Sequence, residues 1–282
     1  MNKDYQIRKM TRRDLDIAFD WMAKEGWNPG LHDAEAFYAV DPKGFFMGFI
    51  NNEPISCISA VAHDKNFGFL GLYIVKPEYR GRGYGWQVWQ KAVNYLKTQN
   101  IGLDGVIAQQ ENYKKSGFKI AYRHIRYQGL SKKYKKPPRK VVSLLDFPFT
   151  KVLEYDRKFF PAPRPKFLAK WIKLPESISL AVKQNGKLAG YSVVRKCQQG
   201  YKIGPLFANN QKIAESIMIE INNRLKPNSI YFLDVPEINK EGIRMAKNYK
   251  MKYVFETARM YTKDPPNLPT EKIFGVTSFE LG

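Results

Sequence analysis

The sequence predicts an α+β (α/β) fold built from two similar halves that follow one another along the chain. Short apolar runs bounded by Gly, Pro and Asn alternate with segments whose apolar residues recur at helical spacing. The order of these predicted elements then repeats, with an offset of about 133 residues. At 282 residues the chain is long enough for two domains of ordinary size, and its hydrophobic content of 44% supplies two packed cores.

The first half begins with short elements that lead to one strongly apolar strand. A helix is indicated after Thr11 because Leu15, Ala18 and Met22 recur at helical spacing and Thr is a favoured N-cap residue. The predicted elements are, in order, a strand over 4–10, the helix from Thr11 to Gly26, a turn over 27–30, a helix over 32–40, a hairpin over 45–63, and a buried strand over 67–75.

A glycine-rich turn with two arginines follows the strand over 67–75, which Pro77 ends because proline cannot donate to a strand ladder. Glycines allow close backbone approach to an anion, successive N–H groups form a nest, and the following helix, predicted over 86–98, adds partial positive charge at its N-terminus. The turn therefore predicts a phosphate site. Its residues are Arg80, Gly81, Arg82, Gly83, Tyr84 and Gly85.

The sequence of this turn can be compared with the motifs of two families. A dinucleotide-binding fingerprint needs a third glycine where Trp86 stands, and Asp104 is a poor match for its acidic residue. The pattern R-x-x-G-x-G, preceded by Val75 and Pro77, fits without a gap, and it resembles the acetyl-CoA-binding motif of the GNAT superfamily of N-acetyltransferases. A tight turn without a ligand is the structural alternative.

A second motif supports the same resemblance. The strand predicted over 101–108 is followed by a match to the GNAT pattern Tyr-x-Lys-x-Gly-Phe, and the next strand begins at the end of this match. Val106 stands where the family usually has an asparagine, so Gln109, Gln110 or Asn112 is expected to replace its contacts to pantetheine. The matching residues are Tyr113, Lys115, Gly117 and Phe118.

The second half repeats the plan after a basic segment over 130–140 that contains two prolines. We interpret this segment as a linker, with a nucleic-acid-binding arm as the alternative. The predicted domains are 1–129 and 143–282, joined by 130–142. The repeated elements are helices over 167–175 and 211–225, a hairpin over 179–196, strands over 201–207 and 229–235, and a segment over 241–261 that parallels 110–127.

The second half lacks the residues that would hold phosphate. Residues 204–210 (GPLFANN) occupy the place of the phosphate turn and contain neither the arginine nor the glycine triplet. We therefore expect this half to have lost the cofactor site and to stabilise the first half. Nearly the whole chain resembles a bacterial group of two-domain GNAT proteins with a degenerate C-terminal domain. This implies tandem GNAT-like domains, each a central mixed, mostly antiparallel sheet flanked by helices.

The resemblance implies a mechanism and a set of site residues. Acetyl-CoA would bind with its pantetheine against Tyr73, Ile74 and Val75, near Tyr113, and with its phosphates on residues 80–85. A primary amine would attack the thioester directly, the backbone N–H of Val75 would bind the oxyanion, and Tyr113 would be the general acid. A tyrosine that only packs on the cofactor is the alternative. The predicted acceptor wall consists of Trp27, Asn28, His32, Asp33 and Glu35.

The general base is left open by the sequence. Some family members carry a glutamate on the strand equivalent to 67–75, but residues 66–75 contain no carboxylate. An acceptor amine with a pKa near 10.4 must lose a proton before it attacks, so a base or a water chain is required. The alternatives are water, His32, Asp33, Glu35 and His63.

Composition limits the remaining possibilities. Two cysteines and three histidines, all scattered, exclude a disulfide framework and predict no metal site. The lack of a long apolar run predicts a cytoplasmic protein without a membrane partner. The net charge of +21 fits either a lysine-rich surface or a polyanionic partner such as nucleic acid. The acceptor can be a small-molecule, peptide or protein amine. A non-catalytic scaffold that senses CoA or binds nucleic acid is the alternative function.

Overall fold

One sheet of thirteen strands runs through residues 5–282, the part of the chain that this computed structural model describes. Residues 1–4, where the first predicted domain begins and the first predicted strand has its first residue, lie outside the described residues. Most predicted elements are present, with ends that differ by up to four residues. The differences that matter lie in how the strands of the two halves are ordered.

The first half carries six strands and four α-helices within the described residues. Thr11 caps the first helix, and its side chain and that of Asp14 form a reciprocal capping box. In order, the elements are β1 (Tyr5–Lys9), α1 (Arg12–Lys24), α2 (Asp33–Val40), β2 (Phe45–Ile50), β3 (Glu53–Ala62), β4 (Phe67–Val75), α3 (Tyr84–Tyr95), β5 (Asn100–Val106), α4 (Gln110–Lys115) and β6 (Lys119–Leu130).

The second half contains the repeated elements together with a helix and two short strands that the sequence pattern did not indicate. The additions are α5, β7 and β13. In order, the elements are β7 (Val141–Ser143), α5 (Phe149–Asp156), α6 (Pro165–Trp171), β8 (Ile178–Gln184), β9 (Lys187–Lys196), β10 (Tyr201–Ala208), α7 (Gln211–Arg224), β11 (Ile230–Pro236), α8 (Lys240–Asn248), β12 (Lys252–Tyr261) and β13 (Ile273–Gly275).

The two halves exchange their last long strands. In sheet order β1 to β5 are followed by β12, then β6, then β11 and the remaining strands of the second half. β12 therefore pairs with β5, and β6 lies between β12 and β11, all in antiparallel register. The sequence predicts two tandem domains, each with its own sheet; the exchange instead joins both sets of strands into one sheet. The division at 130–142 stays a prediction.

The hydrophobic core is also shared between the halves. One cluster of buried side chains combines α1, α2 and β4 with α5, α6, β9 and β10. At its centre the ring of Phe37 on α2 stacks on Trp171 of α6, with ring centroids 6.0 Å apart. Both side chains are fully buried. Burial of such large rings accounts for several kcal/mol of stability at the contact between the halves.

The basic linker lies along α7. The backbone N–H of Tyr134 donates to the amide oxygen of Asn223 at 2.8 Å, and that of Arg139 donates to Ser216 Oγ at 3.2 Å. The ammonium of Lys133 donates to carbonyl oxygens at the end of the same helix. The bonds from Lys133 satisfy carbonyls that an α-helix leaves free at its C-terminus, and all of these bonds hold this part of the segment against the second half.

Candidate functional site

A gap opens in the sheet where β4 and β5 separate. The two strands pair in parallel only where Phe67–Leu70 of β4 lies beside Asn100–Leu103 of β5. Beyond this point the register of β4 against β3 shifts by one residue, and Leu72 adopts a left-handed conformation with φ of +50°. Such a bulge bends the strand and increases its twist. A cavity of about 480 Å³ lies along the separated part of β4.

Most of the predicted cofactor residues line this cavity. Arg82 and Tyr84 do not: the Arg82 guanidinium lies over the ring of Tyr79, and Tyr84 is buried, with its carbonyl accepting a hydrogen bond from Tyr5. Side chains of the second half extend the lining. The predicted residues that line the cavity are Tyr73, Ile74, Val75, Arg80, Gly81, Gly83, Gly85 and Tyr113.

The glycine turn enters α3 at one end of the cavity. Gly83, the residue before α3, has φ of +81°, a conformation that favours glycine, and no atom lies within 4 Å of where a side chain would begin. Arg80 is held in place, because its Nε donates to the carbonyl of Val75 at 2.8 Å and its guanidinium pairs with Glu25. Arg80 therefore ties the turn to β4 and α1, and the turn presents open backbone to the cavity.

Tyr113 stands beside the strand gap in a closely packed environment. Its ring stacks on Trp89 of α3 at 5.3 Å and lies against Gly105, where an added Cβ would be 2.7 Å from the ring. Burial raises the pKa of Tyr113, and burial raises the pKa of Tyr73 to about 12. Both phenols are therefore protonated at neutral pH, and each can donate one hydrogen bond.

Only one residue of the predicted acceptor wall reaches the cavity. Trp27 lines it, whereas Asn28 donates to the carbonyl of Gln199 at 2.9 Å on the surface. Asp33 is buried in an ion pair with Arg195. His32 and Glu35 line a separate depression, where they pair with Glu176 and Arg12.

His63, another of the candidate bases, also lies outside the cavity. Its Nε2 is 3.0 Å from the carbonyl oxygen of Leu281, and its ring packs edge-on against Phe160 at 4.7 Å. Loss of solvent around the ring, together with the charge of Arg164, lowers the pKa of His63 to about 3. The imidazole is thus neutral at pH 7 and holds the C-terminal segment in place.

The sequence motifs did not indicate the opposite wall of the cavity. This wall depends on the strand exchange, which brings β12 next to β5, and on the segment over 277–282, which packs against β4. No local pattern could place these residues beside the first-half motifs. Its members are Asp104, Arg126, Phe255, Thr257, Phe279 and Glu280.

Two ion pairs fix that wall. Asp104 accepts two hydrogen bonds from Arg259, at 3.0 and 2.6 Å, and lies 2.8 Å from His124 Nδ1. Burial opposes ionisation, but the charge of Arg259 and the hydrogen bonds from His124 and Arg259 prevail and lower the pKa of Asp104 to about 2. Arg126 forms a two-pronged pair with Asp234, with both distances 2.7 Å. Such paired charges are rigid, because removing one partner leaves the other buried and unpaired.

The equivalent gap in the second half is occupied by the chain itself. β10 pairs with β11 in parallel only at Tyr201–Ile203, as β4 does with β5. Beyond that point β13 pairs with β10, opposing Gly275 to Leu206 and Ile273 to Phe207. The strand edge that faces the cavity in the first half is thus covered by β13 in the second. This supports the prediction that the second half holds no cofactor.

Within residues 5–282, no group of three or more Cys, His, Asp or Glu side chains could hold a metal ion. In the same described part of the chain, every helix is too short or too polar to cross a bilayer.

Family models match both halves of the chain. A model described as the acetyltransferase (GNAT) family matches residues 7–118, and one described as an acetyltransferase (GNAT) domain matches residues 152–275. Among curated proteins, a holothin acyltransferase of Pseudoalteromonas sp. (strain SANK 73390) is 29% identical over 269 residues, which cover 95% of this chain and 92% of that protein.

Solved structures show the same fold. A candidate acetyltransferase from Pyrococcus horikoshii superposes with a TM-score of 0.84 and 24% identity, over 100% of this chain and 97% of that one. A tandem GNAT protein from the clavulanic acid biosynthesis pathway superposes with a TM-score of 0.63 and 10% identity, over 93% of this chain and 100% of that one. The predicted tandem arrangement of two such folds is confirmed.

Proposed function

This chain belongs to the GNAT acetyltransferases and is an acyltransferase enzyme, and from that premise we propose that it transfers an acetyl group from acetyl-CoA to a primary amine. The family uses acetyl-CoA as its cosubstrate. The transfer takes place in the cavity beside β4, where the amine attacks the thioester directly. The alternative of a non-catalytic scaffold is set aside because the family models and the similar acyltransferase favour an enzyme.

The observation that carries the proposal is the open strand gap, with the glycine turn at one end and Tyr113 alongside. Both motifs line this one cavity, which supports a ligand that contacts an anion site and a hydrogen-bond donor together. The second half provides an internal comparison, because the same gap there is covered by β13 and lacks the glycine turn. This contrast supports the first half as the place where the cosubstrate binds.

The residues of the first half take the following roles. The free edge of β4 at Tyr73–Val75 binds pantetheine, and the backbone of the glycine turn, with the N-terminus of α3, binds the phosphates. Trp86 lines the cavity and is 54% exposed, so its ring offers a flat surface for adenine. The N–H of Val75 binds the oxyanion, and Tyr113 donates to the leaving sulfur.

We propose that the acceptor is an amine that reaches the cavity from the wall containing Trp27. Because the similarity to a holothin acyltransferase covers most of both chains, we include holothin among the acceptors to be assayed. Lysine-containing peptides and simple aromatic amines complete the set.

Calorimetric titration with acetyl-CoA tests the proposal. We expect one site per chain, because the second gap is covered. Acetyl-pantetheine, which lacks the nucleotide phosphates, should bind more weakly than acetyl-CoA. Two sites would contradict the assignment of the second half, and the absence of binding by folded protein would contradict the proposed function.

A further inference from the structure

Three acidic side chains line the cavity, and they differ in what they contact. Glu25 pairs with Arg80, and Asp104 is held by Arg259 and His124. Glu280 is 7% exposed, yet within residues 5–282 no side chain forms an ion pair with its carboxylate and no donor forms a hydrogen bond to it. The Glu280 carboxylate therefore meets the cavity without a protein partner and is available to a ligand that binds there.

The backbone around Glu280 is firmly placed against β4. An added Cβ at Gly71 would overlap the Glu280 backbone, so the glycine is what allows the two segments to meet. The N–H of Leu281 donates to Ser278 Oγ at 3.2 Å, and its carbonyl lies 3.0 Å from His63 Nε2. Glu280 is thus held next to the bulge of β4, where the strand gap opens.

Three positively charged side chains lie near Glu280. Arg126, Arg195 and Lys202 lie close enough for their charges to act on it. The two arginines are neutralised by carboxylates of their own, Asp234 and Asp33.

Lys202 donates to the carbonyl of Trp27 at 2.9 Å. Its ammonium group therefore lies near Glu280 without a direct contact between the two. A carboxylate at this place in the cavity wall is able to accept a proton from a bound ligand.

The same part of the cavity is lined by three aromatic side chains. Trp27 comes from the turn after α1, Phe255 from β12, and Phe279 from the segment that carries Glu280. Phe255 and Phe279 pack edge to face, with ring centroids 6.1 Å apart. Arg126 already lies over the rings of Phe255 and Phe279, 4.8 Å from each centroid. The remaining ring surface therefore suits the flat apolar body of a ligand, and Glu280 suits its ammonium group.

We propose that Glu280 is the general base of the reaction and that the acceptor is a primary amine carried on an aromatic body. The proposal rests on the proposed function and adds the base and the acceptor class to it. The carboxylate removes one proton from the ammonium group. The nitrogen then forms a bond to the acyl carbon, the carbon–sulfur bond breaks with its electron pair on sulfur, and the second proton of the nitrogen moves to that sulfur.

Two aromatic amines separate this role from a structural one. Benzylamine is an ammonium ion at pH 7 and needs a base, whereas aniline is already neutral. We expect Glu280→Gln to lower kcat/KM for benzylamine by roughly 100-fold or more, the usual effect of a general base, and to lower it for aniline by less than about 3-fold. Equal losses with both amines, or no loss with either, would overturn the assignment.

The pH dependence supplies a second readout. For the Glu280→Gln variant, kcat/KM with benzylamine should rise about tenfold per pH unit, because a larger fraction of the amine is then already deprotonated in solution. The Glu280→Asp variant should recover part of the wild-type rate. Glu271→Gln, an exposed residue of the same region, is the matched control and should behave as wild type.

Failure of the proposed function can be distinguished from failure of this inference. If wild-type protein binds acetyl-CoA in the calorimeter but acetylates neither probe at saturating concentrations, the acceptor class is wrong while the proposed cosubstrate stands. If acetyl-CoA does not bind, the proposed function itself has failed. Thermal unfolding of each variant confirms that any loss of rate does not come from loss of fold.

Discussion

Burial changes the chemistry that Tyr113 can perform. A free phenol has a pKa near 10 and a thiol one near 8.5, so proton transfer from tyrosine to a thiolate is already uphill. Burial raises the pKa of Tyr113 further. We therefore infer that Tyr113 lowers the barrier by donating a hydrogen bond to sulfur as charge develops, and that the proton on sulfur comes from the acceptor nitrogen. Tyr113 then contributes no ionisation of its own between pH 6 and 9.

The prediction at this residue is that Tyr113→Phe lowers kcat by roughly 10- to 100-fold, because one donor to the leaving group is lost. The dissociation constant of acetyl-CoA should change by less than about 3-fold, since the ring and its contact with Trp89 remain. Steady-state kinetics and calorimetry measure the two quantities. Tyr253→Phe, at an exposed position, is the control. An unchanged kcat would remove Tyr113 from the chemistry.

Asp104 links acid stability to the cavity wall. Its pKa falls from 3.8 in the unfolded chain to about 2 in the folded protein, so it stabilises the fold above pH 4. This contribution, about 2 kcal/mol, should disappear as the pH falls from about 4 to about 2.

Asp104→Asn should lower the free energy of unfolding at pH 7 by roughly 3–5 kcal/mol, because it leaves Arg259 buried without its partner. The difference in the free energy of unfolding between this variant and wild type should then decrease as the pH falls. Urea titrations at several pH values measure it, and a difference that does not vary with pH would contradict the assignment.

At the scale of elements, the turn between β4 and α3 offers a direct test of cosubstrate binding. A large side chain at Gly83 would fill the space beside the N-terminus of α3, where we place the phosphates. Gly83→Trp should weaken binding of acetyl-CoA by about 100-fold or more, or about 3 kcal/mol, in calorimetric titration.

The chain supplies a matched control for that variant. Gly186 lies in the β8–β9 turn of the second half, has φ of +77°, and is equally open to solvent. Gly186→Trp imposes the same backbone strain far from the cavity and should leave the dissociation constant unchanged. Equal weakening by both substitutions would indicate a general effect on the fold.

The elements themselves were largely predictable because their signals are local. Apolar periodicity, the Thr11 cap and the paired asparagines of the β2–β3 turn are each contained in a few neighbouring residues. The cofactor side of the cavity was predictable for the same reason, since its two motifs are contiguous. Glu280 was not, because its position beside Gly71 depends on a contact between distant parts of the chain. The strand exchange could not be predicted either, because it is non-local. The residue pattern of β6 alone is compatible with pairing in either half.

At the scale of the whole molecule, the exchange makes the two halves dependent on each other. β6 pairs with β11 and β12, so a fragment of residues 1–135 would leave both edges of β6 and the outer edge of β5 unpaired. We predict that this fragment alone gives no cooperative unfolding transition by circular dichroism.

Cleavage of the full-length protein at a protease site inserted at Lys135–Lys136 gives the complementary result. The two pieces should stay associated in size-exclusion chromatography and keep the acetyl-CoA affinity of the intact chain. The exchanged strands and the shared core around Phe37 and Trp171 hold them together. Separation of the cleaved pieces would show that the exchange does not control assembly.

The exchange also affects how the protein is made. During synthesis β6 leaves the ribosome well before the two strands that flank it, and its last partner, β12, ends at Tyr261. At 5–20 residues per second, at least one edge of β6 stays open for roughly 7–26 s. A nascent chain that exposes a strand edge for so long is a target for other unfinished chains and for chaperones. We therefore expect the yield of folded protein to depend on chaperone supply during translation more strongly than that of a tandem protein whose halves keep their own strands.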